Sequence, residues 1–347
     1  MNSGSRVAVA RATSWGLLTA GLVMVGIFFG SRRLRDFDVA LVPYAGASVF
    51  AAFGLGYRYA MWLMKPPTRL YWRQGWRLFV APSHIAANLR HLVSLFVVNI
   101  LAQRFIEKRS PLRWAAHWFI FWGCLLAAGV TFPLSFGWIH FETAATQDVY
   151  QAFVFGVRMF TFRLSSAIAP LIFNILDISA VLVLTGVALA LWRRASDRGA
   201  LAVQQFGADL LPLVMLFAVS ITGLFLTVST HLMRGLHFVF LSQLHAVTVV
   251  FTLLYLPFGK FFHIFQRPAQ LGVAFYREVG AKSAQAACAR CGQPFASQMQ
   301  VDDLKRVERE LDIAYETMQL AHYQDICPPC RRKNLAVVQD ALWSRGA

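Results

Sequence analysis

His245-Ala-Val-Thr-Val-Val-Phe-Thr-Leu-Leu-Tyr-Leu-Pro-Phe-Gly-Lys-Phe-Phe-His263 is an apolar run bracketed by two histidines. The histidines lie eighteen residues apart, five whole turns of an α-helix at about 3.6 residues per turn. On a regular helix both imidazoles project from one face, about 27 Å apart, close to the thickness of a bilayer core. The stretch therefore predicts a membrane-crossing helix with one candidate ligand near each surface.

The surrounding composition agrees. The chain has 347 residues, 57% of them hydrophobic and 14% charged, and a mean hydropathy of +0.51. Several apolar runs exceed the length needed to cross a bilayer. Spans are expected near 13–30, 39–64, 112–139, 169–193, 208–230 and 240–264, giving an all-α, polytopic membrane helical bundle. The first apolar stretch has no small-residue cleavage site and reads as a retained span. Lys and Arg total 33 against 17 Asp and Glu. In a membrane protein that excess sets topology, and nucleic acid is not expected as a partner.

The cations fall in clusters. Lys65, Arg69, Arg73, Arg77, Arg90, Arg104, Lys108, Arg109 and Arg113 run from the end of the second span to the start of the third. Arg193, Arg194 and Arg198 follow the fourth, and Lys260 and Arg267 the sixth. Six spans put all three groups on one side, the cytoplasmic one, with both termini inside an inner (cytoplasmic) membrane. Arg32, Arg33 and Arg35 run against this assignment, in a short loop that it puts outside. Between Arg90 and Arg104 the apolar run Leu92–Ala102 is too short to cross and reads as an interfacial amphipathic helix. The outer segment 140–168 is partly apolar and reads as dipping into the interface.

Histidine inside hydrocarbon is costly and marks a functional candidate. His117 stands near the cytoplasmic start of the third span and His263 near the cytoplasmic end of the sixth. Helices running in opposite directions bring them to similar depth, which suits bis-histidine haem b ligation. Two separately hydrogen-bonded core histidines are the plain alternative. His84, His91 and His322 read as structural, and Trp114, Trp118 and Trp122 as packing and interface anchors.

The ending Leu254-Tyr-Leu-Pro-Phe-Gly-Lys-Phe-Phe-His-Ile-Phe265 resembles the last ligand-bearing helix of the respiratory nitrate reductase gamma subunit family. Leu256 and Phe265 replace that pattern's first and last aromatics. Arg90-His-Leu, Gln103-Arg104 and His117-Trp-Phe-Ile-Phe-Trp-Gly123 are similar to the membrane subunits of heterodisulfide-reductase and sulfite-reduction complexes. The resemblance covers roughly residues 90–267. It implies a quinone-reactive cytochrome b that exchanges electrons with a cytoplasmic iron–sulfur or flavin subunit, with His117 and His263 ligating the proximal haem. His245 matches a second family histidine. The partner that the family supplies ten residues after the third-span histidine is Ala127 here. His140, His231 and His237, or a methionine, are candidates to pair with His245, which could otherwise hydrogen-bond a quinone.

After Arg267 the composition turns polar, so the chain divides into a transmembrane part, 1–267, and a C-terminal module, 268–347. The module carries Cys288-Ala-Arg-Cys291 and Cys327-Pro-Pro-Cys330. Four thiolates in two C-x-x-C pairs form a tetrahedral S₄ set that fits structural zinc. Rubredoxin-type iron is the alternative, with Arg331 where its usual glycine would stand. Between the pairs, Leu304, Val307, Leu311, Ala314 and Met318 recur at helical spacing. Such a module suits docking of a soluble partner. Cys124 reads as a small core hydrophobe. Two rival functions are a non-redox membrane anchor that recruits its partner through the zinc module, and a transporter. The spans carry few charges and no repeat, which disfavours the transporter.

Overall fold

A computed structural model describes residues 3–80, 85–144, 148–197, 199, 202, 204–313 and 322–346. In chain order its main helices are α1 (Ser3–Gly30), α2 (Val42–Met64), α3 (Pro66–Phe79), α4 (Ile85–Phe96), α5 (Pro111–Ser135), α6 (Ile175–Ser196), α7 (Leu211–Leu232), α8 (Phe238–Tyr255), α9 (His263–Ala281), α10 (Gln298–Glu310) and α11 (Pro328–Gly346). Strands are β1 (Ile139–Thr143), β2 (Val149–Val154), β3 (Val157–Arg163), β4 (Gln285–Ala287) and β5 (Pro294–Ser297). Among the described residues six helices are long and apolar enough to cross a membrane, built on α1, α2, α5, α6, α7 and α8. Many of their outward side chains are large and apolar, such as Leu17, Phe217, Val247 and Phe251. Water would penalise such a surface, and lipid does not. The chain is an all-α membrane-type bundle with a four-cysteine cluster near its C-terminus.

The structure divides into two compact units. The first comprises residues 1–60 and 97–265. Its tightest packing is α5 on α6, which cross at small residues. A methyl group on Gly123 would meet the Ser179 carbonyl oxygen at 2.8 Å, and one on Gly186 the Ala116 carbonyl oxygen at 2.7 Å. Helices without a hydrophobic driving force between them approach in this way. Val183, Val187 and Leu213 form the core that joins α6 to α7, with Ile120 of α5 against it.

The segment after α5 differs from expectation. The third span ends at Ser135 rather than 139. Residues 139–163 form a three-stranded antiparallel sheet in the order β1-β2-β3, with Ile139 opposite Val154 and Val149 opposite Arg163. Phe141, Tyr150, Phe162 and Phe173 pack against one another on it. Trp138 ties the sheet to α1 through Nε1, which donates to the Gly26 carbonyl at 2.8 Å.

The sixth span also differs. A single helix over 240–264 does not form: α8 ends at Tyr255, and a 3₁₀ turn, Lys260–Phe262, precedes α9. Pro257 has no N–H to donate to the preceding turn, so the helix breaks there. The break exposes carbonyls that a bilayer cannot hydrate. Arg58 of α2 satisfies them: its Nη1 donates to the carbonyls of Pro257, Phe258 and Gly259 at 2.5, 2.7 and 3.3 Å. The Arg58 guanidinium also lies 4.4 Å from the Phe262 ring centroid. His245 and His263 therefore occupy separate helices, not one helical face.

The second unit comprises residues 61–96 and 266–347, so the cysteine-bearing part takes in α3 and α4 besides the C-terminal segment. Leu92–Ala102 forms the end of α4 and a π turn, Val97–Leu101. Within the second unit α3 lies against α9 and α10. Tyr71 meets Tyr276 edge-on at 5.3 Å, and Phe79 meets Phe275 at 6.5 Å. A methyl group on Gly75 would stand 3.3 Å from the Gly272 Cα. Tyr276, 1% exposed, donates to Asp303 Oδ2 at 2.7 Å. Burial, with Asp303 adding to it, holds the Tyr276 hydroxyl protonated well above the usual tyrosine range. The helix between the cysteine pairs is α10, which includes Leu304 and Val307 and is capped at Leu311; Ala314 and Met318 lie outside the described residues, as does His84.

The break yields a prediction. Replacing Arg58 by Met leaves three carbonyls without their donor and should destabilise the protein by about 2 kcal/mol or more. Lysine, which keeps the charge and three N–H donors but has a shorter reach, should recover part of this. Thermal unfolding in detergent is the measurement, and an unchanged midpoint for Arg58→Met would contradict the role.

Candidate functional sites

The first site is a pair of histidines in the first unit. His117 stands in the second turn of α5, a helix that Ser110 caps by accepting from the Arg113 N–H. His263 opens α9. Their ring centroids are 6.2 Å apart with an interplanar angle of 64°. Two imidazoles on opposite sides of one metal, each bonded at about 2 Å, have centroids about 6 Å apart. The observed centroid separation matches that value.

Each ring is also oriented through Nδ1. Gln103 Oε1 lies 2.8 Å from His117 Nδ1. The Lys260 carbonyl oxygen is hydrogen-bonded to His263 Nδ1. An acceptor at Nδ1 fixes the N–H there and leaves Nε2 as the basic nitrogen, the arrangement found behind metal-ligating histidines. Gln103 is 2% exposed and holds a left-handed backbone, with φ of 54°. A buried non-glycine residue in that region stores strain that its surroundings must sustain. Trp114 Nε1 helps by donating to the Ala102 carbonyl at 2.8 Å. In the sequence Gln103 carries no signal of this role beyond the resemblance of Gln103-Arg104 to a family pattern. Its position, fourteen residues before His117 and across a turn, concealed the contact.

The other candidates have different surroundings. His245 Nδ1 lies 3.0 Å from Thr222 Oγ1, which in turn lies 3.2 Å from Thr248 Oγ1. His140 is on β1, not on an extension of the third span. Its ring stacks on Phe153 at 5.0 Å, with Asp36 at 3.7 Å and Glu142 at 3.4 Å. The structure thus surrounds His245 with threonines and His140 with carboxylates, and does not bring the two together. Arg32 binds Asp36 through two hydrogen bonds of 2.7 and 2.6 Å and holds its carboxyl below the usual range. His231 lies beside Thr230 and the Thr227 carbonyl, and His237 precedes α8 with φ of 58°. In the second unit His91 faces Glu278 at 2.6 Å, and His322 faces Glu308 at 3.4 Å.

The second site is the cysteine cluster. β4 and β5 form a hairpin whose connection carries Cys288 and Cys291. Cys288 N–H donates to the Gln293 carbonyl at 2.9 Å, and Gly292 N–H to the Cys288 carbonyl at 2.8 Å. Cys327 immediately precedes α11 and Cys330 lies in its first turn. All four Sγ atoms lie within 4.8 Å of one another, and Cys291 and Cys327 are 3.8 Å apart. Tetrahedral coordination with metal–sulfur bonds of about 2.3 Å places sulfurs about 3.8 Å apart. None of the cysteines is in a disulfide.

The protons on this cluster are divided unevenly. N–H groups of Cys327, Cys291 and Arg290 draw the Cys288 thiol down to about 6, against an opposing effect of burial. The Cys327 thiol, burial and the other thiols push Cys330 up to about 12. Four thiolates this close repel one another unless a cation sits among them. The group is thus able to hold a metal ion, with three of its four residues buried.

Elemental analysis of the purified protein should find about one metal equivalent per chain in this site, falling to roughly a tenth or less in Cys288→Ser or Cys330→Ser. Protons compete for the thiolates, so retention should fall as pH drops and not as it rises. Full retention in both variants would contradict the site. Comparison with known protein families, with curated proteins and with solved structures returns no match for this chain.

Proposed function

We propose that this protein is a membrane electron-transfer subunit that holds haem b between His117 and His263. The observation that carries the reading is the pair of rings 6.2 Å apart, each anchored at Nδ1 by a protein acceptor. A haem iron there supplies one-electron chemistry at a potential set by its two imidazoles and by burial. The chain's own part is orientation: Gln103 and the Lys260 carbonyl fix the tautomers, and Arg58 maintains the break that presents His263. The resemblance over residues 90–267 adds a quinone as electron donor or acceptor and an iron–sulfur or flavin oxidoreductase subunit as the soluble partner. His245, among Thr222 and Thr248, is assigned to a hydrogen bond with the quinone rather than to a second haem.

The same reading places the protein in the inner (cytoplasmic) membrane with both termini cytoplasmic, on the distribution of its cations. Zinc is the metal assigned to the cysteines. One pair lies on a hairpin and the other at a helix N-terminus, and all four ligands come from protein, as in closed structural zinc sites.

The test is optical. A reduced-minus-oxidised spectrum of the purified protein should show b-type absorbance, and His117→Ala or His263→Ala should abolish it. His245→Ala should leave it at about wild-type amplitude while impairing reduction by a quinol. A protein without haem would overturn the assignment and favour a non-redox anchor that recruits its partner through the cysteine module.

A further inference from the structure

The second unit contains a cleft that neither the histidine pair nor the cysteine cluster uses. It has a volume of about 230 Å³ and is lined by Arg69, Arg73, Arg77 and Arg306 with Gln74 and Glu310. Four guanidinium groups face one carboxylate. Arg69 is paired with that carboxylate at 2.5 Å. Arg306 is 3.8 Å from Asp303, whose charge is already engaged by Tyr276. Arg69, Arg73 and Arg77 recur at four-residue steps on α3, which has no acidic residue. Like charges at that spacing destabilise a helix. The arrangement is therefore one that a bound anion would stabilise. A neighbouring cavity of about 400 Å³ shares Gln74 and Arg306 but is lined by Asp302 and Asp303, so negative charge is favoured only in the arginine cleft.

We propose that this cleft binds the phosphate of an anionic phospholipid headgroup. Guanidinium groups match phosphate oxygens with paired donors, and an open cleft lined by four arginines gathers more of them than one phosphate would meet on a diffuse surface. Lipid is favoured over a soluble phosphate by the rest of α3. The helix starts at Pro66, and only Lys65 separates it from the end of the span α2 at Met64. Tyr71, Gly75 and Phe79 turn toward α9, while Trp72 and Trp76 meet edge-on at 5.8 Å beside the arginines, and Trp76 is exposed. Indoles beside cations on a helix that follows a span are the side chains that settle at headgroup depth.

Native mass spectrometry of the delipidated full-length protein tests this. Phosphatidylglycerol should bind at least fivefold more tightly than phosphatidylcholine. The double variant Arg73→Gln/Arg77→Gln should lose that preference, and Arg332→Gln/Lys333→Gln, exposed on α11, should keep it. Equal binding of the two lipids, or equal loss in both double variants, would overturn the proposal. So would binding of inorganic phosphate or an acidic peptide that depends on Arg73 and Arg77 when no lipid preference is seen. If the glutamine variant does not fold, Arg73→Lys/Arg77→Lys reads the same cleft: it keeps the charge without the forked donors, so a reduced preference supports the site and an unchanged one overturns it.

Discussion

One guanidinium holds the end of the last apolar helix together. A proline in a membrane helix leaves carbonyl groups that lipid cannot satisfy, each at a cost of several kcal/mol. Arg58 meets three successive carbonyls at Pro257, Phe258 and Gly259. With that donor present, the chain can stop α8 at Tyr255, make a 3₁₀ turn and start α9 at His263. The position of His263 follows from the turn, because its Nδ1 hydrogen-bonds the carbonyl three residues back. Lys260, which supplies that carbonyl, is itself fixed by an ion pair between its ammonium and Asp209. A charged residue in the second span and a proline in the sixth thus act together to set one imidazole opposite another.

The histidine pair and the cysteine cluster share a physical logic. In both, the atoms that would touch a metal are oriented by groups behind them. Gln103 and the Lys260 carbonyl act on Nδ1 of the two rings, and backbone N–H groups act on the Cys288 sulfur. Such support reduces the ordering that binding must impose, and it selects one protonation state. His245 is held in a similar way: the Thr222 hydroxyl gives its one proton to the Ala218 carbonyl at 2.7 Å, so its oxygen accepts from His245 Nδ1.

The spans were legible because apolar length alone identifies them, and the four cysteines because two C-x-x-C pairs leave few alternatives. The break was less legible. Pro257 stood in plain view, but the five-turn spacing of His245 and His263 fitted a regular helix so well that it concealed the interruption. The pairing of His117 with His263 did not depend on that regularity, since it rested on depth in two antiparallel spans. The β1–β3 sheet left a signal in Val157-Arg-Met-Phe-Thr-Phe-Arg163, where polar and apolar residues partly alternate after Gly156. Reading the outer segment only as partly apolar passed over it. Inclusion of 61–96 in the second unit had no local signal. It depends on contacts between residues distant in sequence, such as Arg69 with Glu310 and Gly75 with Gly272.

α10 shows how these distant contacts are organised. Its residues divide by face. Arg306 and Glu310 line the arginine cleft, Asp303 accepts from Tyr276 of α9, and Glu308 accepts from Gln324 in the turn that leads to Cys327. Lys305 pairs with Asp325 at 2.7 Å, and the Asp325 carbonyl accepts from Ala289, the residue after Cys288. Both cysteine pairs are therefore tied to α10 through one short turn, and the cleft is tied to it through α3. Buried polar groups of this kind are costly unless each finds a partner. Asp303 and Glu308 find theirs on elements that the chain reaches only before Ala281 and after His322. The register of α10 between α3, α9 and the cysteine-bearing turn is consequently set by hydrogen bonds rather than by apolar volume, and a helix with so few buried apolar side chains has little else to fix it.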